Sequence, residues 1–342
     1  MAGRLVTSTR TATTGGRRRV HEVRRLVVRR ATWAVPLVLG VSALVFLLAS
    51  RTPSDSTTGF LGARTQFVDA RTREAVARML DQGAWWEAWA SWWRGAAGGD
   101  WGTSTVLRGS VSDAIAGRVP WTLLVMTVGL VLAFMIAVPL ALAAAARGTG
   151  AAARLLTACA WVLSAAPAYI VGLGLLLVFS VALGWFPAGG LGPPGETVGP
   201  ATVARHAALP CLAVALSQVP WIALHLHAGL VGARASDAVL SARMRGLPPR
   251  TVTRGHVLPV AVVPLLALMG ARLPELVVGA VLVETVFSWP GLGQALVDAA
   301  VGRDLALLAG TTVCLTVMVL AGNLLADAAL VAADPRVVAD EL

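Results

Sequence analysis

The sequence predicts an all-α polytopic membrane protein, and two observations support this fold class. Charged residues make up 13% of the 342-residue chain and hydrophobic residues 56%, whereas a soluble domain carries about 25% charged residues. The chain also contains six apolar stretches of the length that a helix needs to cross a bilayer core of about 30 Å. Composition therefore argues against a water-soluble fold.

The six predicted spans follow one another without a visible internal repeat. Several contain proline, which membrane helices tolerate because neighbouring helices re-satisfy the freed carbonyl groups. We predict a transmembrane domain over residues 31–335, preceded by a basic cytoplasmic tail over residues 1–30, whose first twenty residues are expected to be disordered. The predicted spans cover residues 32–50, 121–146, 155–184, 207–230, 257–284 and 305–332.

The distribution of arginine predicts that both termini are cytoplasmic. The N-terminal tail and the loops after the second and fourth spans are rich in arginine and contain almost no acidic residues. In the other loops, acidic residues offset the arginines. Positive residues near span ends are retained on the cytoplasmic side. The predicted topology is N-in and C-in, with an outer loop over residues 51–120 and an inner loop over residues 231–256.

The net charge of +10 reflects this topology, because the arginines lie mainly between apolar runs. We expect the lipid bilayer as a partner and no nucleic acid. The cysteines lie in apolar segments without metal-ligand spacing, and we expect no disulfide. His225 and His227, two apart on a helix, face different directions, so no metal site is expected.

The outer loop has helical character around residues 69–94 and carries five tryptophans between Trp85 and Trp93. Tryptophan favours the level of the lipid headgroups. The segment is therefore expected to lie along the outer surface or to pack on the membrane domain. A site that stacks a peptide on the indole rings is the alternative.

The inner loop contains a helix-compatible stretch that ends at Gly246 and is followed by two prolines. Such a stretch can form a compact knob below the membrane. Its small residues would permit close contact with a partner protein, its arginines would suit an acidic rim on that partner, and the glycine would permit a sharp exit of the chain. A loop that only fixes topology is the alternative. The residues concerned are Ala238, Ala242, Arg243, Arg245 and Gly246.

Several motifs resemble the inner-membrane permease family of ATP-binding-cassette importers, in the branch that handles dipeptides, oligopeptides and nickel chelates. The resemblance runs from about residue 24 to the C-terminus, and its most specific part is VETVFSWPGLG over residues 283–293. The other motifs are GDWGTS at residues 99–104, the segment at 164–190, SARMRGL at 241–247 and DPR at 334–336.

This resemblance implies a permease subunit of a binding-protein-dependent importer in the bacterial cytoplasmic membrane, which works by alternating access. Residues 238–247, including Leu247, would form the coupling helix that docks on an ATPase subunit. No GxxxxGK[ST] phosphate loop occurs in the chain, so no cofactor is expected here and ATP would bind to the partner. The implied partners are a second homologous permease in a heterodimer, two ATP-binding subunits and an extracytoplasmic solute-binding protein.

Ionisable residues inside spans usually face a cavity or a partner helix. Arg272 and Glu275, three apart on one helical face, are expected to pair with each other, and lining the translocation path is the alternative. Glu284 belongs to the motif at 283–293 and is expected at the outer mouth, as a gate residue or as an interfacial cap. Asp327 is a further charged residue within a span.

The transported solute and the strength of coupling stay open. Di- or oligopeptides are the first expectation, and nickel chelates or another small polar solute are the alternative. His225, His227 and the Pro259-Val260 pair depart from the family pattern near the inner loop. An ion-coupled secondary transporter would often show paired inverted repeats, and an intramembrane enzyme would need a catalytic motif such as GxSxG; neither is visible.

Overall fold

A computed structural model describes residues 11–51, 69, 84–146, 150–193, 195 and 198–333. Helices dominate this part of the chain. Two short strands of two residues each, β1 (Thr103–Ser104) and β2 (Gly109–Ser110), pair antiparallel in a hairpin. The helices are α1 (Thr11–Arg51), α2 (Trp85–Ala97), α3 (Val111–Ala146), α4 (Ala151–Ser164), α5 (Ala168–Leu175), α6 (Pro200–Arg234), α7 (Asp237–Met244), α8 (Pro249–Val252), α9 (Leu258–Val286), α10 (Leu292–Gly302) and α11 (Leu305–Ala333). π-helical turns at Leu176–Ala182 and Thr253–Val257 continue α5 and lead into α9.

The predicted all-α polytopic membrane fold is confirmed. Within the described residues, five helical segments are long and apolar enough to cross a membrane, and a bent pair makes a sixth if it counts as one span. The five segments are Arg25–Arg51, Val111–Ala146, Pro200–Arg234, Pro249–Val286 and Leu305–Val331. The orientation of these helices across the bilayer stays a prediction from arginine placement.

The third predicted span, 155–184, is not one straight helix. Its two apolar pieces, Thr157–Ser164 and Ala168–Ala182, are bent by 99° relative to each other. Pro167 lies at the break with an extended ψ of 147°, and it has no backbone N–H to continue the helix from α4. The proline therefore separates two helices here, instead of producing a mild kink.

The first helix is longer than the predicted span. It begins at Thr11, so residues 11–20, which were expected to be disordered, are helical, and the predicted tail runs directly into the first span. Arginine and leucine are good helix formers, and the only proline inside this helix is Pro36. The predicted outer loop is likewise shorter than 51–120, because α3 already begins at Val111.

The core of the bundle forms around α6. Of the apolar 18-residue stretch that qualifies α6 as a candidate span, 72% is buried, whereas only 11% of the corresponding stretch of α1 is buried. Two glycines permit close helix approach. A Cβ on Gly129 of α3 would lie 2.7 Å from the Val214 side chain of α6, and a Cβ on Gly229 of α6 would lie 2.6 Å from the Ala261 carbonyl oxygen of α9. The bundle therefore has α6 at its centre, in close contact with α3 and α9, and α1 at its edge.

Candidate functional site

The outer elbow, which we define as residues 284–293, is the turn between α9 and α10. After α9 the chain turns sharply, with Ser288 at a positive φ of 47°. The Trp289 N–H donates to the Glu284 carbonyl oxygen at 2.8 Å, and the Trp289 side chain is fully buried. The elbow is thus a packed part of the core and not a solvated loop.

A buried carboxylate organises the elbow. Glu284 is fully buried, and its Oε2 accepts hydrogen bonds from the backbone N–H groups of Gly293, at 2.6 Å, and Gln294, at 3.3 Å. These N–H groups belong to the first turn of α10, where a negative charge is favoured. A Cβ on Gly291 would lie 2.3 Å from this carboxylate, and one on Gly293 would lie 2.8 Å from it. The two glycines of the motif are therefore needed to admit the carboxylate.

The elbow is also tied to α3. Three hydrogen bonds join residues that lie about 170 positions apart, and the Trp121 and Trp289 rings meet edge to face with centroids 5.9 Å apart. Sequence reasoning missed the α3 partners, because nothing local in the sequence links them to the motif. The bonds run from the Leu292 N–H to Thr122 Oγ1 at 2.8 Å, from Trp289 Nε1 to the Trp121 carbonyl at 3.2 Å and from Arg118 Nη1 to the Gly291 carbonyl at 3.2 Å.

A second buried carboxylate, Asp304, fixes the β1–β2 hairpin to the start of α11. Its Oδ1 accepts the Leu307 N–H at 3.0 Å and so caps α11. Its Oδ2 accepts the Ser104 hydroxyl at 2.6 Å and the Val106 N–H at 3.1 Å. Asp304 is 4% exposed, so the hairpin is held to the start of α11 away from solvent.

The tryptophan-rich helix α2 packs on the membrane domain, which agrees with one of the two placements expected for it. The Nε1–H groups of Trp89 and Trp93 both donate to the Ser42 hydroxyl of α1, at 2.9 and 3.0 Å. Trp92 Nε1 donates to the Trp101 carbonyl at 3.2 Å. Three indoles are therefore engaged within the chain. Of the predicted helical segment 69–94, residues 70–83 lie outside the described residues.

The inner knob, which we define as residues 237–246, consists of α7 and its exit turn. One face of α7 is anchored in the core, because Val239 and Ala242 are both fully buried. The opposite face presents Leu240, 57% exposed, and Met244, 81% exposed. Ala242 therefore makes its close contacts inside this chain, which differs from the outward contact expected from the sequence, whereas Ala238 is exposed.

The exit turn of the knob depends on Gly246. Its φ is +73°, a conformation that residues with a side chain rarely adopt. The Gly246 N–H donates to the Arg243 carbonyl at 2.9 Å, and the Leu247 N–H donates to the Ala242 carbonyl at 3.3 Å. The sharp exit predicted at this glycine is confirmed. Arg243 and Arg245 are exposed beside it.

The knob is attached to the helices at the centre of the bundle. Val239 and Ala242 belong to a buried cluster that also contains Ala145 of α3 and Leu230 of α6. Arg234, the last residue of α6, donates a hydrogen bond to the Ala145 carbonyl near the end of α3. The knob therefore sits on the C-terminal ends of α3 and α6 as one packed unit.

The predicted ion pair on α9 is confirmed. Arg272 Nη1 contacts Glu275 Oε2, and the Arg272 guanidinium carbon lies 5.6 Å from the centroid of the Trp221 ring of α6. The two side chains are 39% and 60% exposed. Asp327 of α11 pairs with Arg30 of α1 at 2.6 Å.

The structure places His225 against its own helix. His225 Nδ1 lies 2.9 Å from the Trp221 carbonyl of its own helix. Over the part of the chain that the structure describes, no group of three or more His, Cys, Asp or Glu residues is placed to hold a metal ion.

A bundle of apolar helices long enough to cross a bilayer defines a polytopic membrane protein, and comparison with known proteins specifies the kind. Residues 137–339 match the family described as the binding-protein-dependent transport system inner membrane component. The match covers more than half of the chain, including the knob and the elbow, so the protein belongs to this family. It is a multi-pass permease subunit of the inner membrane, which works with other subunits.

Curated relatives match over nearly their whole length. The oligopeptide transport system permease protein AppB of Bacillus subtilis (strain 168) is 30% identical over 313 residues, which cover 91% of this chain and 98% of the relative. The glutathione transport system permease protein GsiC of Escherichia coli (strain K12) is 31% identical over 311 residues, with coverages of 91% and 98%. A putative peptide permease protein of Brucella ovis is 29% identical over 317 residues, with coverages of 92% and 98%.

Proposed function

We propose that this chain lines the translocation path of an ATP-driven importer for di- or oligopeptides. The names of its relatives, which refer to oligopeptide, peptide and glutathione transport, support a peptide cargo. A nickel chelate or another small polar solute is the alternative cargo. The importer would comprise a second homologous permease, two ATP-binding subunits and an extracytoplasmic solute-binding protein, and ATP would bind to the ATP-binding subunits.

The outward face of α7 is the observation that carries the ATPase-docking part of the proposal. Leu240 and Met244 are exposed apolar side chains beside the exposed cations Arg243 and Arg245, on a helix whose other face is buried. An apolar centre with a charged rim suits a groove in a partner protein with an apolar floor and acidic edges. Residues 238–247 would be the coupling helix, with Gly246 and Leu247 forming its exit.

The packing around the knob suggests how ATP-driven movement reaches the outer mouth. Because α7 shares a buried cluster with α3 and α6, a displacement of the knob moves the inner ends of these helices together. At the C-terminal end of α9, the elbow, which includes Glu284, joins α9 to α3. Closure of the ATPases would thus be passed on as a rigid-body motion, and Glu284 would act as a positioning residue at the outer gate.

Arg272 and Glu275 would face the path. They lie near the middle of a membrane span and are nevertheless 39% and 60% exposed. Charged groups at that depth are costly against lipid and usually face a water-filled cavity or a partner helix. A pair of opposite charges on this face would suit a solute that carries both an amino and a carboxylate group.

Uptake by proteoliposomes tests this proposal. The permease is reconstituted with its neighbouring permease, ATPases and binding protein, and uptake of a radiolabelled dipeptide is compared with uptake by the chain alone. We expect uptake only with the complete set and with internal ATP, and none with an ATPase variant that cannot hydrolyse ATP. Uptake by the chain alone, driven by a proton or sodium gradient, would instead identify an ion-coupled secondary transporter.

A further inference from the structure

A groove of about 440 Å³ runs between α1 and α11. Its α1 wall follows one helical face, with lining residues spaced three and four apart from Val27 to Val38. The walls are almost entirely apolar, and alanines such as Ala31, Ala34 and Ala321 provide the space that larger side chains would fill. The groove is therefore an apolar channel along the edge of the membrane domain.

The length of the groove matches one leaflet of the bilayer. From Val27 to Leu39 it extends about 18 Å at 1.5 Å per residue, whereas half of a 30 Å hydrocarbon core is about 15 Å. Trp93 of α2 lines its outer end and is held there by the hydrogen bond to Ser42. The groove thus ends near the middle of the membrane.

The volume indicates an acyl chain. A cavity of about 150 Å³ holds one benzene molecule, and by that ratio this groove has room for about 18 carbon atoms. A helix of the same length and about 10 Å across would occupy roughly 1,400 Å³, so a helix of a partner subunit could cover the groove but not fill it.

The other end of the groove lies in the arginine-rich part of α1. Arg30 lines it, is 40% exposed and contacts Asp327 at 2.6 Å. Arg25 and Arg29 lie within the preceding turns of α1. With the predicted N-in topology this end meets the headgroups of the cytoplasmic leaflet, where anionic lipids attract basic residues next to a span.

We propose that this groove binds one acyl chain of an anionic phospholipid of the cytoplasmic leaflet, with the lipid phosphate near Arg30. The bound chain would complete the packing of α1, which is the least buried of the candidate spans. This lipid site is independent of the transported cargo.

Native mass spectrometry of the purified importer complex tests the acyl-chain part of the proposal. Bound phosphatidylglycerol is quantified after a detergent wash, in the intact chain, in Ala34→Trp, which fills the groove, and in Leu37→Trp as control. Leu37 is one turn away on α1, is 50% exposed and does not line the groove. We expect at least a fivefold loss of bound lipid in Ala34→Trp only. The smaller change Ala34→Leu, with an intermediate loss, keeps the test valid if the tryptophan variant does not fold.

The headgroup part is tested with the double variant Arg25→Gln/Arg29→Gln, which lowers the positive charge at this end of the groove and leaves the Arg30–Asp327 pair in place. We expect the preference for phosphatidylglycerol over phosphatidylcholine to disappear while an acyl chain is still retained. Equal lipid content in the intact chain, Ala34→Trp and Leu37→Trp would overturn the proposal. The proposal would also be overturned if the complex of Ala34→Trp lost the second permease while its lipid content stayed unchanged. The groove would then belong to the interface between the two permeases.

Discussion

The outer elbow and the inner knob are both short segments that connect helices, but the chain holds them differently. In the elbow, Glu284 and Trp289 are fully buried and hydrogen-bonded to neighbouring segments of the same chain. In the knob, Val239 is buried, whereas Met244, less than two turns further on, is 81% exposed. The elbow is thus complete within this chain, whereas the knob presents a surface that suits another protein. Substitutions in the elbow should therefore affect stability, and those on the outer face of the knob should affect binding.

The largest loss of stability is expected for Glu284→Ala in the elbow. The substitution leaves the Gly293 and Gln294 N–H groups without their buried carboxylate, so the apparent free energy of unfolding should fall by about 3 kcal/mol. Thermal unfolding in detergent measures it. Glu275→Ala, on the same helix but 60% exposed, is the matched control and should cost less than about 1 kcal/mol. Equal losses in the two variants would contradict a structural role for the buried carboxylate.

The free energy of unfolding should fall by about 2 kcal/mol in Asp304→Ala, because this side chain caps α11 and also holds the hairpin. Hydrogen exchange should become faster at the Val106 and Leu307 amides, which donate to this carboxylate. Asp113→Ala serves as control, since Asp113 is exposed in the first turn of α3 and should contribute about 0.5 kcal/mol. Unchanged exchange at both amides would show that the hairpin is held by other contacts.

The free energy of unfolding should fall by about 1 kcal/mol in Gly246→Ala, at the exit of the knob. Among the described residues nothing lies within 4 Å of the added Cβ, so the cost comes only from the positive φ of 73°. Gly232→Ala is the control, because Gly232 is also open but lies in α6, where alanine is the better helix former. If Gly246→Ala unfolds at the temperature of the intact chain, the left-handed turn is not required.

The smallest change in stability is expected for Leu240→Ser on the outer face of the knob, within about 0.5 kcal/mol of the intact chain. Val239→Ser, one residue earlier and fully buried, should cost about 2 kcal/mol. Chemical or thermal unfolding of the two variants side by side measures the difference. Similar losses in both would mean that the two faces of α7 are buried alike, which would remove the distinction between knob and elbow.

Local patterns in the sequence predicted the features that depend on neighbours along the chain. The apolar stretches predicted the membrane helices, the spacing of Arg272 and Glu275 predicted their pairing, and Gly246 before two prolines predicted the sharp exit. Each of these follows from residues within one or two helical turns. The family resemblance, carried most clearly by residues 283–293, was confirmed by the family match.

Features that depend on distant residues were not predictable in the same way. The partners of the elbow on α3, such as Thr122, lie about 170 residues from it, and Ser42 lies about 50 residues from the tryptophans that donate to it. The burial of Ala242 depends on how α7 packs under the bundle, which its small size alone does not reveal. The third predicted span contains proline, which membrane helices tolerate, but the 99° bend at Pro167 depends on the packing of the two halves.

Capture of the ATPase by the permease tests the central claim most directly. The tagged permease is purified from membranes with its neighbouring ATPase, as the intact chain, as Met244→Glu on the knob and as Val301→Glu on α10. Met244 and Val301 are both 81% exposed, so the two substitutions are matched in burial. We predict at least a tenfold loss of ATPase from Met244→Glu, with membrane insertion retained, and full recovery with Val301→Glu. Equal recovery of the ATPase in all three proteins would contradict docking at the knob and leave residues 237–246 as a loop that only fixes topology.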